Sequence, residues 1–274
     1  MKLGFSTLGC PNWDVDAICR KGSAFGFQGV DFRGIQDQID ITATPEFTSD
    51  LPATKRKLSD GGMVVSGISS SLKICEKDKW ETNLEEARRT IPLAHELNVD
   101  TIRVFGGGDP GKSAKANLAD VGRHTMDAVM ALDGADGFRW VFESHDTWIA
   151  ARDCKLLLDR IPNASFGALW DMGHTTRVGG EAPRVSLDAL GDRVYCLHVK
   201  DAIFDRSHPQ AMEDGWRYVP PGDGELPLVE ALGILRQRGY DSWLLFEHEK
   251  RWHRDLPEPE EIFPKFITWY RELV

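Results

Sequence analysis

The chain has 274 residues, of which 41% are hydrophobic and 28% charged, with a formal net charge of −10. The length exceeds a typical single domain but suits an α/β barrel, and the acidic balance opposes nucleic-acid binding, which needs a basic surface to displace counterions. Its five cysteines are odd in number and form no CxxC pair, which argues against a disulfide framework or zinc ribbon and for a reducing, cytoplasmic setting.

Residues 2–7 read as a strand that begins at once, without the apolar leader of a signal peptide. After the loop LGCPNW, Asp14 is placed to cap a helix that runs to about Phe25 and is broken by Gly26. Residues 30–33 form a second strand, with Asp31 and Arg33 on one face by the two-residue period. Thr44–Pro45 opens a helix over about 46–60, ended by Gly61 and Gly62. A third strand at 63–69 runs into serines. Leu84, Ala87, Ile91 and Ala94 mark a helix over 81–97, where Pro92 predicts a kink or a late start.

Strands at 101–105, 139–144, 165–171, 193–199 and 242–246 then alternate with helices at 112–133, 149–160, 182–190, 226–238 and 258–272. A Pro- and Gly-rich loop at about 202–224 follows the seventh strand and reads as a lid or an interface in a homo-oligomer. No run approaches the ~20 apolar residues of a membrane span. Eight strand–helix units predict one domain over 1–274, a parallel sheet closed as a (β/α)8 TIM-type barrel. The first strand lacks a GxGxxG fingerprint, which weakens an open dinucleotide-binding sheet.

Four late strands share one feature. WVFESHD, FGALWDMGH, VYCLHVKD and WLLFEHE each run from apolar residues into a polar one: Glu143, Asp171, His198 and Glu247. The gaps between them are 28, 27 and 49 residues, the last lengthened by the loop after strand seven. Such a barrel keeps its chemistry at the C-terminal strand ends. Three carboxylates and one imidazole there suit a single divalent cation, with manganese, magnesium or cobalt favoured and zinc a further candidate.

GALWDMGH, YCLHVKDA and YVPPGDGELPLVEALGILRQRGYDSWLLFEHE resemble the xylose isomerase-like superfamily. Within it they are most similar to the sugar phosphate isomerase/epimerase group, which includes ketose 3-epimerases, hydroxypyruvate isomerase and inosose dehydratase. LGFSTLGCPNW and GVDFRGI extend the likeness over nearly the whole chain. The resemblance implies a metal held by Glu143, Asp171, His198 and Glu247, and a substrate-binding histidine at His174, three residues after the aspartate. It also implies a substrate-binding arginine after the histidine ligand. Arg206 is the nearest one, although it lies farther along than the family pattern has it.

A divalent ion across a carbonyl and the adjacent hydroxyl acidifies the C–H between them, because it stabilises enediolate oxygens. Glu143 and Glu247, on separated strands, are then expected to exchange the proton. That predicts an isomerase or epimerase of a keto-sugar or related polyol ketone. A hydroxyl β to the carbanion turns the same site into a lyase, with a keto-inositol as the alternative substrate. An apurinic-endonuclease-like phosphodiesterase is remote, since that chemistry needs a zinc cluster with histidines on the early strands, where this chain has serines and Phe105–Gly106. A sugar-binding barrel without catalysis does not require the full ligand set.

Neighbouring residues carry two readings each. His145 shares the face of Glu143, to bind substrate or to sit in the wall. Lys200 shares the face of His198, to neutralise substrate charge or to pair with Asp201 or Glu225. Arg33 meets substrate or pairs with Asp31. Glu225 reads as first-turn helix charge, with a bond to His198 or Lys200 as the other choice. Among Trp13, Phe105, Trp148, Trp216 and Trp252, an aromatic wall for a sugar ring is expected, with Trp148 and Trp252 as its contacts. Gly106–Gly108 and the basic run Lys250, Arg251 and Arg254 are weak phosphate signals.

Overall fold

The structure is a computed structural model that describes residues 1–273. Strands β1 (Lys2–Ser6), β2 (Gly29–Phe32), β3 (Val64–Lys73), β4 (Thr101–Phe105), β5 (Arg139–Glu143), β6 (Phe166–Asp171) and β7 (Val194–Val199) follow one another round a barrel. A two-stranded antiparallel hairpin, β8 (Asp201–Phe204) and β9 (Trp216–Val219), stands outside it. Then β10 (Trp243–Phe246) pairs in parallel with both β7 and β1 and closes the ring. The helices are α1 (Val15–Phe25), α2 (Leu51–Asp60), α3 (Trp80–Leu97), α4 (Lys115–Met130), α5 (Ala151–Arg160), α6 (Met172–Arg177), α7 (Pro183–Leu190), α8 (Leu228–Gln237) and α9 (Pro259–Glu272). The (β/α)8 barrel predicted from the alternation is the fold observed.

The two-residue strand period sorts the late strands into two cores. Val141, Leu169, Cys196 and Leu245 point inward and form a small apolar layer inside the barrel. Phe142, Trp170, Leu197 and Phe246, one residue on, join the larger core between barrel and helices. One further step brings Glu143, Asp171, His198 and Glu247 back to the interior, immediately above the apolar layer. Closure is secured by aromatics from both ends of the chain. Phe246 stacks on Phe266 of α9 at 4.5 Å, and Phe5 of β1 meets Phe27 and Phe263, each at 4.9 Å. Such rings supply the largest apolar area per residue, so the first and last units are held by burial as well as by the sheet.

Several element boundaries differ from the sequence expectation. The side chain of Asp14 does cap α1, accepting from Ala17 N at 2.8 Å, and Gly26 ends it at φ +106°. The helix expected over 46–60 is interrupted: a single turn at Pro45–Phe47 precedes α2. Helix α3 runs unbroken through Pro92. Strand β3 continues four residues past Ser69, so its serines belong to the barrel wall. The segment 202–224, read as a loop, contains the hairpin. Asp201 fixes its base by accepting from Ala202, Gly222, Gly224 and Leu226 backbone amides at 2.9–3.3 Å. Short α6 was not foreseen, and it begins where the Asp171 side chain caps it.

Candidate metal centre

Glu143, Asp171, His198 and Glu247 each offer a ligand atom, and these atoms lie within 4.8 Å of one another. All four side chains are buried. His198 Nδ1 is 3.1 Å from Glu143 Oε1 and 3.2 Å from Glu247 Oε1. Asp171 Oδ1 accepts from the His174 amide at 2.8 Å as the cap of α6. That bond turns Oδ2 toward the Lys200 ammonium, 2.8 Å away.

Burial by itself pushes these carboxyls up. His198 and Arg103 outweigh it at Glu143, and His198 and Lys200 outweigh it at Glu247, so both are held well below the carboxylate range. At Asp171 burial wins, aided by the two glutamates, and its carboxyl is raised. Burial pulls His198 down, but the two glutamates raise it well above an ordinary imidazole.

The group fits a divalent cation on its own chemistry. Removing charges from water costs several kcal/mol per ion even after relaxation, so three buried carboxylates are not a device for stability. Among the described residues His198 Nε2 has no partner, and Asp171 Oδ2 and Glu247 Oε2 meet the Lys200 charge without a well-directed hydrogen bond. Hard oxygen donors with one imidazole match a divalent first-row or alkaline-earth ion.

A cavity of about 220 Å³ opens over the cluster, lined among others by Arg33, Phe105, His145, His174, Glu249 and Trp252. His145 Nδ1 is 2.7 Å from Asp146 Oδ1, and its ring lies 5.0 Å from Phe105 and 4.7 Å from His174. Burial lowers the His145 pKa, but the Asp146 bond reverses the sign and raises it. His174 has Nδ1 at 3.2 Å from the Ser144 carbonyl and Nε2 at 3.5 Å from Lys200. Burial and Lys200 together push its pKa down to about 3, so it is neutral. A larger depression of about 500 Å³ at the opposite barrel end, lined by residues such as Lys2, Asp100 and Arg139, holds none of the unpartnered buried groups.

The model of the xylose isomerase-like TIM barrel family matches residues 19–273. The chain belongs to this family. It is 28% identical over 182 residues to a 3-dehydroshikimate dehydratase of Pseudomonas aeruginosa, covering 63% of this chain. The chain spans about a quarter of the length of that relative, 27%. Among solved structures, the probable 3-DHS dehydratase AsbF of Bacillus anthracis superposes with a TM-score of 0.79 at 17% identity, covering 99% of both chains. D-psicose 3-epimerase of Clostridium cellulolyticum H10 gives 0.75 at 14%, covering 100% of this chain and 98% of that one. At these identities the structural likenesses speak for the fold alone.

Of the residues singled out for substrate, the structure of this family member brings Arg33, His145, His174 and Trp252 to the cavity and leaves Lys200, Trp148 and Arg206 out of its lining. Trp148 is fully buried; its indole N–H donates to the Gly107 carbonyl at 2.8 Å, and the ring covers Gly106 so closely that a Cβ there would clash. It is wall, because the Gly106–Gly107 backbone lies against it. Arg206 is exposed in the turn 205–215 at the far end of the hairpin and does not line the cavity.

Arg33 does not pair with Asp31. It donates to Ser71 Oγ at 2.9 Å, while Asp31 takes the Ser69 hydroxyl at 2.7 Å. Lys200 pairs with neither Asp201 nor Glu225. It contacts Asp171, Glu247 and Glu249, and Glu225 accepts from the Phe204 amide. The phosphate signals are otherwise employed: Gly108 N donates to Glu76, and Lys250 bonds the Arg254 and Leu256 carbonyls and pairs with Glu258.

Sequence reasoning missed Arg103. This buried arginine sits 3.4 Å from Glu143 Oε2 and 3.8 Å from the Phe105 ring centroid. The period of two in TIRVF, which puts residues 101, 103 and 105 on one face, was the available signal.

Proposed function

We propose that this chain is a divalent-metal-dependent enzyme that removes the proton beside the carbonyl of a small hydroxylated ketone and then expels water. The observation that carries this reading is a division of roles at the cavity. Glu143, Asp171, His198 and Glu247 converge on one point, whereas His145 stands outside that set with Asp146 on its Nδ1. A base oriented by a carboxylate, with its second nitrogen free, is the arrangement general-base catalysis needs. When bound, the ion supplies positive charge to the carbonyl oxygen as negative charge develops there.

His145 Nε2 takes the proton from carbon and, as the imidazolium, returns it to the departing hydroxyl, which leaves as water. Arg33 points to an anionic substrate group. Among the described residues it makes no ion pair, having only the Ser71 hydroxyl and the Phe105 ring, 5.7 Å away. A guanidinium that lines the cavity and has no carboxylate within ion-pair distance among the described residues is suited to a substrate carboxylate. A cyclic hydroxy-keto acid of the dehydroshikimate kind meets these demands, and the names of two relatives agree with it.

A second reading rests on a different feature. Glu143 and Glu247 flank His198 Nδ1 at nearly equal distance, which suits two glutamates exchanging one proton in an isomerase or epimerase of a keto-sugar. One experiment separates the two. Protein loaded with Mn²⁺ is incubated in D₂O with 3-dehydroshikimate and, separately, with a panel of ketoses. The expected result is loss of one water from the acid, seen by mass, and dependence on the metal. Deuterium built into recovered ketose without loss of water selects the second reading, and no reaction with any of them sinks both.

A further inference from the structure

Lys200 is in an unusual position for a cation beside a metal site. Its side chain is 3% exposed, and it contacts Asp171 Oδ2 at 2.8 Å, Glu247 Oε2, and Glu249 Oε1 at 2.6 Å. Two of those three carboxylates belong to the ligand set. A divalent ion entering the cluster meets an ammonium already resting on two of its three carboxyl partners, and like charges at such range in a poorly solvated site repel strongly. The ammonium cannot retreat into water because it is buried.

Two acceptors in reach lie outside the ligand set, the neutral His174 Nε2 at 3.5 Å and the Glu249 carboxylate at 2.6 Å, and of these Glu249 is the one that carries charge. Glu249, just after β10, is itself fixed by the Tyr218 hydroxyl, which donates to Oε1 at 2.8 Å. Tyr218 belongs to β9, and its ring lies 5.7 Å from the Lys200 ammonium. The hairpin thus holds the carboxylate that can receive the lysine charge.

We propose that Glu249 is a positioning residue that draws Lys200 off Asp171 and Glu247 when the metal site fills, and that Tyr218 couples this exchange to the seating of the β8–β9 hairpin. The inference rests on the reading of the four ligands as a metal site. It assigns the hairpin a role in setting metal affinity.

Calorimetric titration of the full chain with Mn²⁺ tests it, together with limited proteolysis of the 205–215 turn. Glu249→Gln leaves the ammonium on the ligands and is expected to weaken Mn²⁺ binding about tenfold or more. Lys200→Met removes the competing charge, so in that background the Glu249→Gln effect is expected to shrink to about threefold or less, the mark of two residues acting on each other. Mn²⁺ is expected to protect the turn from proteolysis in wild type and much less in Tyr218→Phe. Equal Glu249→Gln effects with and without Lys200 overturn the proposal, because a merely structural glutamate acts independently of the lysine. If Glu249→Gln alone folds poorly, Glu249→Asp, which keeps the charge but shortens its reach to Lys200, is compared in the same two backgrounds. Absence of Mn²⁺ binding by the wild-type chain is a different failure, that of the metal reading itself.

Discussion

The two halves of the barrel mouth carry opposite charge. On β5, β6, β7 and the end of β10 the interior step above the apolar layer is acidic, with one histidine among three carboxylates. On the early strands, Arg33 follows β2, Arg103 stands on β4, and β3 between them presents serines. The serines are the struts of the basic half. Ser71 holds Arg33, and the Ser70 carbonyl accepts from Arg103 at 3.0 Å while its hydroxyl bonds the Arg103 carbonyl at 2.6 Å. Glu86 of α3 fastens that strand by accepting from Ser71 N at 2.6 Å. On the proposed reading, an acidic half facing an arginine-bearing half suits a substrate whose reacting carbonyl and anionic group lie at opposite ends.

The strongest way to break that division is on the acidic side. Glu143→Gln or Glu247→Gln is expected to reduce turnover on the order of a thousandfold or more, because each change removes both a metal donor and local negative charge. Metal content by elemental analysis is expected to fall with it, from about one ion per chain. Full activity in either variant would disconnect the acidic half from the chemistry. On the basic side, Arg33→Met is expected to raise KM for a carboxylate-bearing substrate on the order of tenfold to a hundredfold, the range for losing a hydrogen bond to a charged group. Mn²⁺ affinity and the KM of an uncharged ketose should stay as they were. If both substrates suffer equally, Arg33 is part of the wall and the two-sided picture fails.

The late half was far more legible in the sequence than the early half. Glu143, Asp171, His198 and Glu247 announce themselves because each follows an apolar strand run at nearly one unit's spacing, a local and repeated signal. Arg103 lies within a five-residue strand, and its partner Glu143 is 40 residues on, so only the pairing of β4 with β5 brings them together. Trp148 failed for a related reason. A loop tryptophan at the active face looks free until the Gly106–Gly107 backbone, from the preceding unit, is seen lying against it. The hairpin was hidden because its Pro- and Gly-rich ends read as a single loop, and its anchor is a set of backbone amides on Asp201 that no side-chain pattern reveals.

A smaller effect sharpens the line between wall and cavity. Trp148→Phe keeps an aromatic ring but deletes the five-membered ring that lies on Gly106, together with the N–H that bonds Gly107 O. That carbonyl still accepts from the Thr147 hydroxyl at 3.1 Å, so it is not left bare. The expected cost is about 2–3 kcal/mol of stability, from the lost hydrogen bond and the cavity left behind, read as a lower denaturation midpoint, with KM unchanged. A raised KM at constant stability would return Trp148 to the substrate surface.

The smallest expected effect is at the hairpin's far end. Arg206→Ala removes an exposed side chain with no ion pair among the described residues, and surface changes of this kind usually stay within about 0.5 kcal/mol. Neither KM nor Mn²⁺ affinity should move. The informative contrast is with Tyr218→Phe on the same hairpin, which loses one hydroxyl yet acts at Glu249. If Arg206→Ala instead raises KM, the turn at 205–215 must fold down over the cavity during turnover. The basic half of the mouth would then extend to a third arginine, brought to substrate by a moving element, whereas Arg33 and Arg103 are held by the barrel wall.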